Sequence, residues 1–276
     1  MCTSFAVYKG KPIYAMNFDC WNLESRIRID QHDSVSTFFY ETNLEGKFLE
    51  TAGMNSYGFF GNFQGNLSEK HQNIIPDSKC IVIDELYRES LHSARSIKDF
   101  YSLLGEKIVA YNPVPPIHNL LHNMFADKDG AAIILETADM KNDITEISGS
   151  FMVMTNFPAG LFKNLEYSCV NGAGSDRYIK AFEQISSHQD IFDIPDAFAV
   201  LKSTVQKEEN WETLISMVFV PDELAVYFSL NRNFDKIWRA DINKKHVQTY
   251  YGFNDSITIE MGENGISMNG LREWGG

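Results

Sequence analysis

Cys2 directly follows Met1, and so small a second side chain permits removal of the methionine, leaving a cysteine with a free α-amino group. One residue then holds both a nucleophile and a base. An α-amine with an ordinary pKa of about 7.7 to 8.0 can take up a proton near neutral pH while a thiol of about 8.5 attacks a carbonyl carbon. The mature protein is accordingly expected to begin at Cys2. Cys20, Cys80 and Cys169 are widely spread and form no C-x-x-C pair, so they read as small buried side chains or free thiols of a reducing compartment.

A terminal nucleophile needs a group that holds its amine, and the opening of the chain supplies one. Ser4 to Tyr8, a turn at Lys9-Gly10-Lys11, and Ile13 to Phe18 read as a hairpin. If Gly10-Lys11 is a two-residue loop, Cys2 falls opposite Asp19; if Lys9-Gly10 is the loop, it falls opposite Asn17. Either register brings Asn17-Phe18-Asp19 to the new terminus, where the Asp19 carboxylate can orient an amine or ammonium.

Further strand signals fall at Val35 to Tyr40, Phe59 to Phe63, Ser150 to Thr155, Thr213 to Val220, Leu224 to Leu230 and Lys236 to Ile242. His118 to Ala126 and Ala131 to Thr137 form a pair joined by Asp127-Lys128-Asp129-Gly130, a turn that suits antiparallel pairing. Helical spacing connects Val82, Leu86 and Tyr87; Ile97, Phe100, Tyr101 and Leu104; Tyr178, Phe182 and Ile185; and Phe198, Leu201 and Val205. The helices come as two blocks between runs of strands. That order predicts an α+β sandwich of antiparallel sheets with helices layered outside, and argues against alternating βαβ units. No repeat, low-complexity tract or Gly/Ser linker divides residues 1–276, so a single domain is expected.

Composition narrows the partners. With Lys+Arg 24 against Asp+Glu 37 the formal net charge is −13, which repels phosphates and disfavours nucleic acid or an anionic membrane surface. Hydrophobic residues at 44% and aromatic ones at 13% provide a core without disulfides or metal. No run approaches the roughly 18 apolar residues of a membrane span, and the first fifteen residues lack the apolar core of a secretion signal. A cytoplasmic protein with a small-molecule partner is expected. His118 and His122 are four apart, but the segment reads as a strand and contains no Glu, so no metal is implied. Gly172-Ala173-Gly174 is half a dinucleotide loop with no βαβ unit around it.

Met1-Cys2-Thr3-Ser4, followed by a hairpin ending in Asn17-Phe18-Asp19-Cys20-Trp21, resembles the start of the choloylglycine hydrolase and penicillin V acylase family and of the related penicillin-precursor acyltransferases. These are N-terminal-nucleophile (Ntn) enzymes. Gly53-Met54-Asn55-Ser56-Tyr57-Gly58-Phe59-Phe60-Gly61-Asn62 resembles the family's G-M-N-x-x-G strand, whose closing Asn contributes to the oxyanion hole, and Asn62 matches it. Leu121 to Asp127 with Gly130 to Glu136 resembles the paired core strands. Met154-Thr155-Asn156-Phe157-Pro158 resembles the L-T-N-x-P signature, which gives Asn156 a catalytic role, and Ser175-Asp176-Arg177-Tyr178 resembles the S-R-F/Y segment whose Arg completes the site. Met217 to Leu230 is similar to the family's late hairpin. The resemblance covers essentially the whole chain and departs at one position. The residue three before the Asp is an Arg near the thiol in the bile-salt and penicillin V hydrolases, and here it is Met16, which is expected to line the acyl pocket.

The resemblance implies an Ntn-hydrolase αββα sandwich, two antiparallel sheets between helix layers, with autoprocessing to the terminal cysteine and no cofactor. The implied reaction is cleavage of a linear N-acyl amide of the bile-salt, penicillin V or N-acyl amino acid type. Cys2 attacks the acyl carbon, Asn62 and Asn156 stabilise the oxyanion, Asp19 and Arg177 hold the nucleophile and its amine, and water releases the acid. A side-chain NH2 aimed at the oxyanion is worth roughly 3 kcal/mol. Ser175 is expected to cap the helix that presents Arg177. An acyltransferase using the same acyl-enzyme, or a non-catalytic relative that binds acyl compounds, has the same opening motif. Little room remains between Asn156 and Arg177 for the projecting segment used in tetramer assembly, and a homo-oligomer stays open.

Overall fold

The computed structural model describes residues 2–67, 77–110, 121–138, 141–208 and 211–275. Met1 and His118 lie outside the described residues. In chain order the first strands are β1 (Thr3–Val7), β2 (Ile13–Cys20), β3 (Ser25–His32), β4 (Val35–Leu44), β5 (Lys47–Asn55), β6 (Phe60–Gly65) and β7 (Cys80–Val82). Helices α1 (Ile83–Ser93) and α2 (Ile97–Leu104) precede β8 (Ile108–Ala110), β9 (Leu121–Ala126), β10 (Ala132–Ala138), β11 (Lys141–Glu146) and β12 (Phe151–Met154). A short turn α3 (Ala159–Phe162) leads to α4 (Ser175–Ser187) and α5 (Ile194–Ser203). The chain closes with β13 (Glu212–Val220), β14 (Ala225–Leu230), β15 (Ile237–Asp241), β16 (His246–Tyr251), β17 (Thr258–Glu260), β18 (Ile266–Ser267) and α6 (Met268–Gly275).

Every residue of β1 and β2 is buried, so both faces of these strands are covered. The reason is the layering. Two antiparallel sheets, ordered β12-β1-β2-β13-β14-β15-β16-β17 and β11-β10-β9-β6-β5-β4-β3-β18, lie face to face. Between them lies the central core, which includes Met16, Phe38, Met54, Phe60, Met124, Met217, Phe219 and Trp238. The other face of the first sheet buries Phe5, Ala15 and Val218 against Ala181, Ile185 and Leu201 of α4 and α5. On the far side of the second sheet, Phe39, Phe59 and Phe125 pack on Leu86, Tyr87 and Leu91 of α1 and Phe100 of α2. The result is the expected αββα sandwich, with the four helices at the four segments of helical spacing. Among the described residues no helix is long and apolar enough to cross a membrane.

The hairpin register differs from either expectation. Ser4 pairs with Met16 and Val7 with Ile13, so continuing the ladder puts Cys2 across from Phe18, between the two expected partners. The loop is an odd one centred on Gly10, whose φ is +103°. It is held wide by α4: Lys9 Nζ donates to Ile185 O at 2.6 Å and His188 O at 2.7 Å, where free carbonyls at a helix end attract a cation. Side chains alternate along a strand. Cys2 therefore shares the inter-sheet face with Met16, Phe18 and Cys20, whereas Asn17 points outward and donates to Leu201 O of α5 at 2.8 Å.

Candidate active site

Four neighbouring strands bring the site together at one end of the first sheet. Ser4 pairs with Met154, so the β12 ladder continued two residues sets Asn156 beside Cys2. On the other side β13 pairs with β2 and puts Thr213 opposite Asp19. Arg177 enters from the outer layer, on the first turn of α4. The helix begins at a Gly174 N-cap with φ +78°, not at the expected Ser175 cap, and Ser175 is the first helical residue. A side chain at position 174 would come within 2.5 Å of the Arg177 guanidinium, so a residue without Cβ, tolerant of positive φ, lets that side chain fold back toward the sheet.

Cys2 is 4% exposed and each of its polar atoms is occupied. Its nitrogen donates to Asn156 Oδ1 at 2.9 Å. Its carbonyl oxygen accepts from Arg177 Nη1, which also donates to Thr3 Oγ1 at 2.9 Å. The sulfur lies against the Asp19 main chain, 3.5 Å from the nitrogen and 3.8 Å from the oxygen. Arg177 Nη2 donates to Asn156 Oδ1 at 2.8 Å, so that one amide oxygen gathers the nucleophile and the guanidinium. Thr213 Oγ1 donates to Asp19 Oδ1 at 2.6 Å, and Arg177 Nη1 stands 3.9 Å from Asp19 Oδ2.

Burial dominates the electrostatics. It raises the Cys2 thiol above its ordinary value, as the Asp19 charge also does, with the amino-terminal charge, the Asp19 main-chain hydrogen bond and Arg177 opposing. Asp19 is pushed up to about 7 by burial, against the lowering effect of the amino-terminal charge, the Thr213 hydrogen bond and Arg177. Cys20, also in the pocket wall, is pushed up to about 12 by burial and by its neighbour Cys2. A carboxyl group that titrates near neutrality next to a thiol is an arrangement more typical of a functional site than of a structural ion pair.

A pocket of about 380 Å³ opens over Cys2, Asp19 and Asn156. Its walls are mainly apolar, with Phe18, Leu23, Leu44, Leu49, Phe63 and Leu121 among them. Trp21 and Trp211 meet edge to face at 5.6 Å in the same wall, and Trp211 and Leu67 are the exposed side chains at its mouth. Among the described residues no three His, Cys, Asp or Glu gather to hold a metal ion. Both ring nitrogens of His122 are engaged, one by Glu136 and one by the Thr155 carbonyl.

Cys2, Asp19, Asn156 and Arg177 thus come together. Asn62 and Met16 do not join them in the pocket wall. Asn62 lies in mid-strand, paired to Ala52 on one side and Met124 on the other, with its Oδ1 accepting from Met124 N at 3.2 Å. The β6 end nearer the thiol supplies Phe63, Gln64 and Gly65 instead, followed by Leu67. Met16 is fully buried between Ser4 and Met217 in the inter-sheet core, so it is not a pocket residue. Thr213 and Gln64 were not singled out by sequence. The Gln64 side chain meets Ser4 Oγ, and nothing in its local sequence signals that distant partner.

A scan of the sequence against protein-family models finds no match, and a search of curated proteins finds none. Solved structures do match. The chain is similar to a cysteine-to-alanine mutant of conjugated bile acid hydrolase from Clostridium perfringens, at 16% identity over 95% of this chain and 98% of that one, with a TM-score of 0.69. A second variant of that hydrolase gives 16% identity, the same coverage and 0.68. Penicillin V acylase from Agrobacterium tumefaciens gives 17% identity over 96% of this chain and 93% of that one, with 0.63. These likenesses establish a shared fold along nearly the whole chain.

Proposed function

We propose that this protein is a single-domain cysteine amidohydrolase of the N-terminal-nucleophile class, which cleaves a linear N-acyl amide once Met1 has been removed. The observation that carries the reading is the grip on Cys2: nitrogen on Asn156, carbonyl on Arg177 and sulfur on the Asp19 main chain, at the base of an apolar pocket. The nitrogen held by Asn156 is the one that becomes the amine. Solved structures of the same fold are named a bile acid hydrolase and a penicillin V acylase, which supports an acyl substrate of the bile-salt, penicillin V or N-acyl amino acid type.

In this reading the Cys2 thiol gives its proton to the Cys2 amine as sulfur bonds to the acyl carbon, and the carbonyl oxygen becomes an oxyanion. Asn156 Nδ2 donates one N–H to Gly65 O at 2.6 Å; a primary amide has two, and the second is the donor for the oxyanion. Collapse breaks the C–N bond, and the ammonium of Cys2 returns its proton to the leaving amine. Water then attacks the thioester with the same amine as base, the S–C bond breaks, and the acid leaves as the thiol is restored. Asp19, with a pKa near neutrality, keeps the amine oriented and stabilises its charged form.

The test combines intact-mass analysis with thioester trapping across N-acyl amino acids, bile-acid conjugates, penicillin V and acyl-homoserine lactones. Active protein should lack Met1 and trap an acyl group on Cys2, and Cys2→Ala should lose about 10⁴-fold or more in turnover while keeping its fold. Retention of Met1 in a rapidly turning-over sample, or a Cys2→Ala variant with wild-type rates, would end this reading.

A further inference from the structure

Asn156 is braced from both sides by a pair of buried side chains that the cysteine chemistry leaves unused. His122, on β9, is fully buried, with Nδ1 3.0 Å from Glu136 Oε1 and Nε2 2.7 Å from Thr155 O. The ring is thus held at both nitrogens, by the Glu136 carboxyl group and by the Thr155 carbonyl. Glu136, on β10, also accepts from Asn66 Nδ2 at 2.9 Å, Ala159 N at 3.1 Å and Gly160 N at 2.8 Å. The pair therefore grips Thr155 just before Asn156 and Ala159-Gly160 just after it.

The same carboxylate also grips the strand that Asn156 bonds. Asn156 Nδ2 donates to Gly65 O at 2.6 Å, and Asn156 O accepts from Leu67 N at 2.8 Å. Gly65 and Leu67 flank Asn66, whose side chain is held by Glu136. Both backbone segments that set the position of the Asn156 amide are thus anchored to one buried His–Glu pair. We propose that His122 and Glu136 are the positioning residues of Asn156, and through it of Cys2. The kinetic readout rests on the amidohydrolase reading; the geometry does not.

Glu136→Gln preserves side-chain shape and a carbonyl acceptor while removing the charge. In the full chain its kcat should fall about 10- to 100-fold with KM within about twofold, because a displaced amide and thiol cost rate more than binding. Alkylation of Cys2 by iodoacetamide, measured on folded protein, should change by about threefold or more, since it reads the surroundings of the sulfur without any substrate. In an Asn156→Ala background the same substitution should change kcat and alkylation by less than about twofold, because both residues act along one path. His122→Gln should repeat the pattern, and it serves as the variant if Glu136→Gln does not fold. Equal losses in both backgrounds, or a folded variant with wild-type kcat and alkylation, would overturn the assignment. If the wild type cleaves no N-acyl amide the amidohydrolase reading falls, and alkylation in the two backgrounds still decides the positioning role.

Discussion

Asp19 and Glu136 are both buried carboxylates, one at the end of each sheet, and they hold protons in opposite ways. Burial raises both, yet Asp19 ends at about 7 while Glu136 ends below the ordinary glutamate value. The donors make the difference. Glu136 takes a bond from the His122 ring, one from the Asn66 amide and two from backbone N–H groups. Asp19 takes the Thr213 hydroxyl and lies in the field of the amino terminus and of Arg177, whose guanidinium stands at 3.9 Å, and these lower it by less than burial raises it. Desolvation alone does not fix a buried acid; how far hydrogen bonds and nearby charges offset it decides whether the acid stays an anion or trades a proton near neutral pH.

Substitutions sharpen the contrast. Glu136→Ala should cost about 3 to 5 kcal/mol in urea unfolding, because it leaves the His122 ring, the Asn66 amide and two backbone N–H groups buried without their partner; a loss under about 1 kcal/mol would mean that these groups find other partners. Asp19→Asn should act with the opposite sign on stability. A folded pKa near 7 against an unfolded value of 3.8 means that the native state keeps a proton the unfolded chain has released, so wild-type stability falls as pH rises from about 4 to 7. The variant, which cannot ionise, should gain up to about 4 kcal/mol relative to wild type by pH 8 and almost nothing at pH 4. Its kcat/KM should nonetheless fall about 100-fold. A gap in stability that does not open with pH would remove the claim that Asp19 is proton-poised.

Thr213→Val takes away the hydroxyl donor. It should raise the Asp19 pKa further, move the acid limb of kcat/KM to higher pH, and lower the rate at pH 6 several-fold; an unmoved limb would show that this limb belongs to another group. The smallest effect is expected at Met16→Leu, a volume-conserving change costing less than about 1.5 kcal/mol with no change in Cys2 alkylation. A shifted alkylation profile would return Met16 to the neighbourhood of the thiol.

Much of the site could be read from sequence because its members lie in short motifs at strand or helix ends. Cys2 and Asp19 close the two arms of one hairpin, Asn156 follows β12, and Arg177 opens α4. Their meeting follows from the order of four adjacent strands. Asn62 has no such strand-end position: it lies in mid-strand in β6, outside the pocket wall. Thr213, Gln64 and the His122–Glu136 pair were invisible for a different reason. Asp19 and Ser4, the partners of Thr213 and Gln64, lie 194 and 60 residues away, and only the register of β2 on β13 and the packing of one sheet on the other make them neighbours; His122 and Glu136, 14 apart, meet through the register of β9 on β10. The four main helices and the strands flanking the site were legible from periodicity. β16 and the terminal α6 were not, since β16 buries only Val247 and α6 has few apolar residues; β3 does carry the alternation of a strand, in a stretch rich in charge.

The odd loop between β1 and β2 sets a parity. Gly10 at its centre takes a positive φ, and a Cβ there would stand 2.8 Å from Ile191 Cγ2, so the loop is fitted to its length. Because strand faces alternate, gaining or losing one residue between Val7 and Ile13 would turn one arm of the hairpin over relative to the other. Cys2 and Asp19, on opposite faces in this register, would then share one, thiol toward the helices or carboxylate toward the pocket. Two residues more would leave their orientation unchanged. Length variation in this loop should therefore be tolerated in pairs and silence the site in singles, so counting residues across Gly10 offers a simple check on whether any chain built on this plan keeps its thiol facing the pocket.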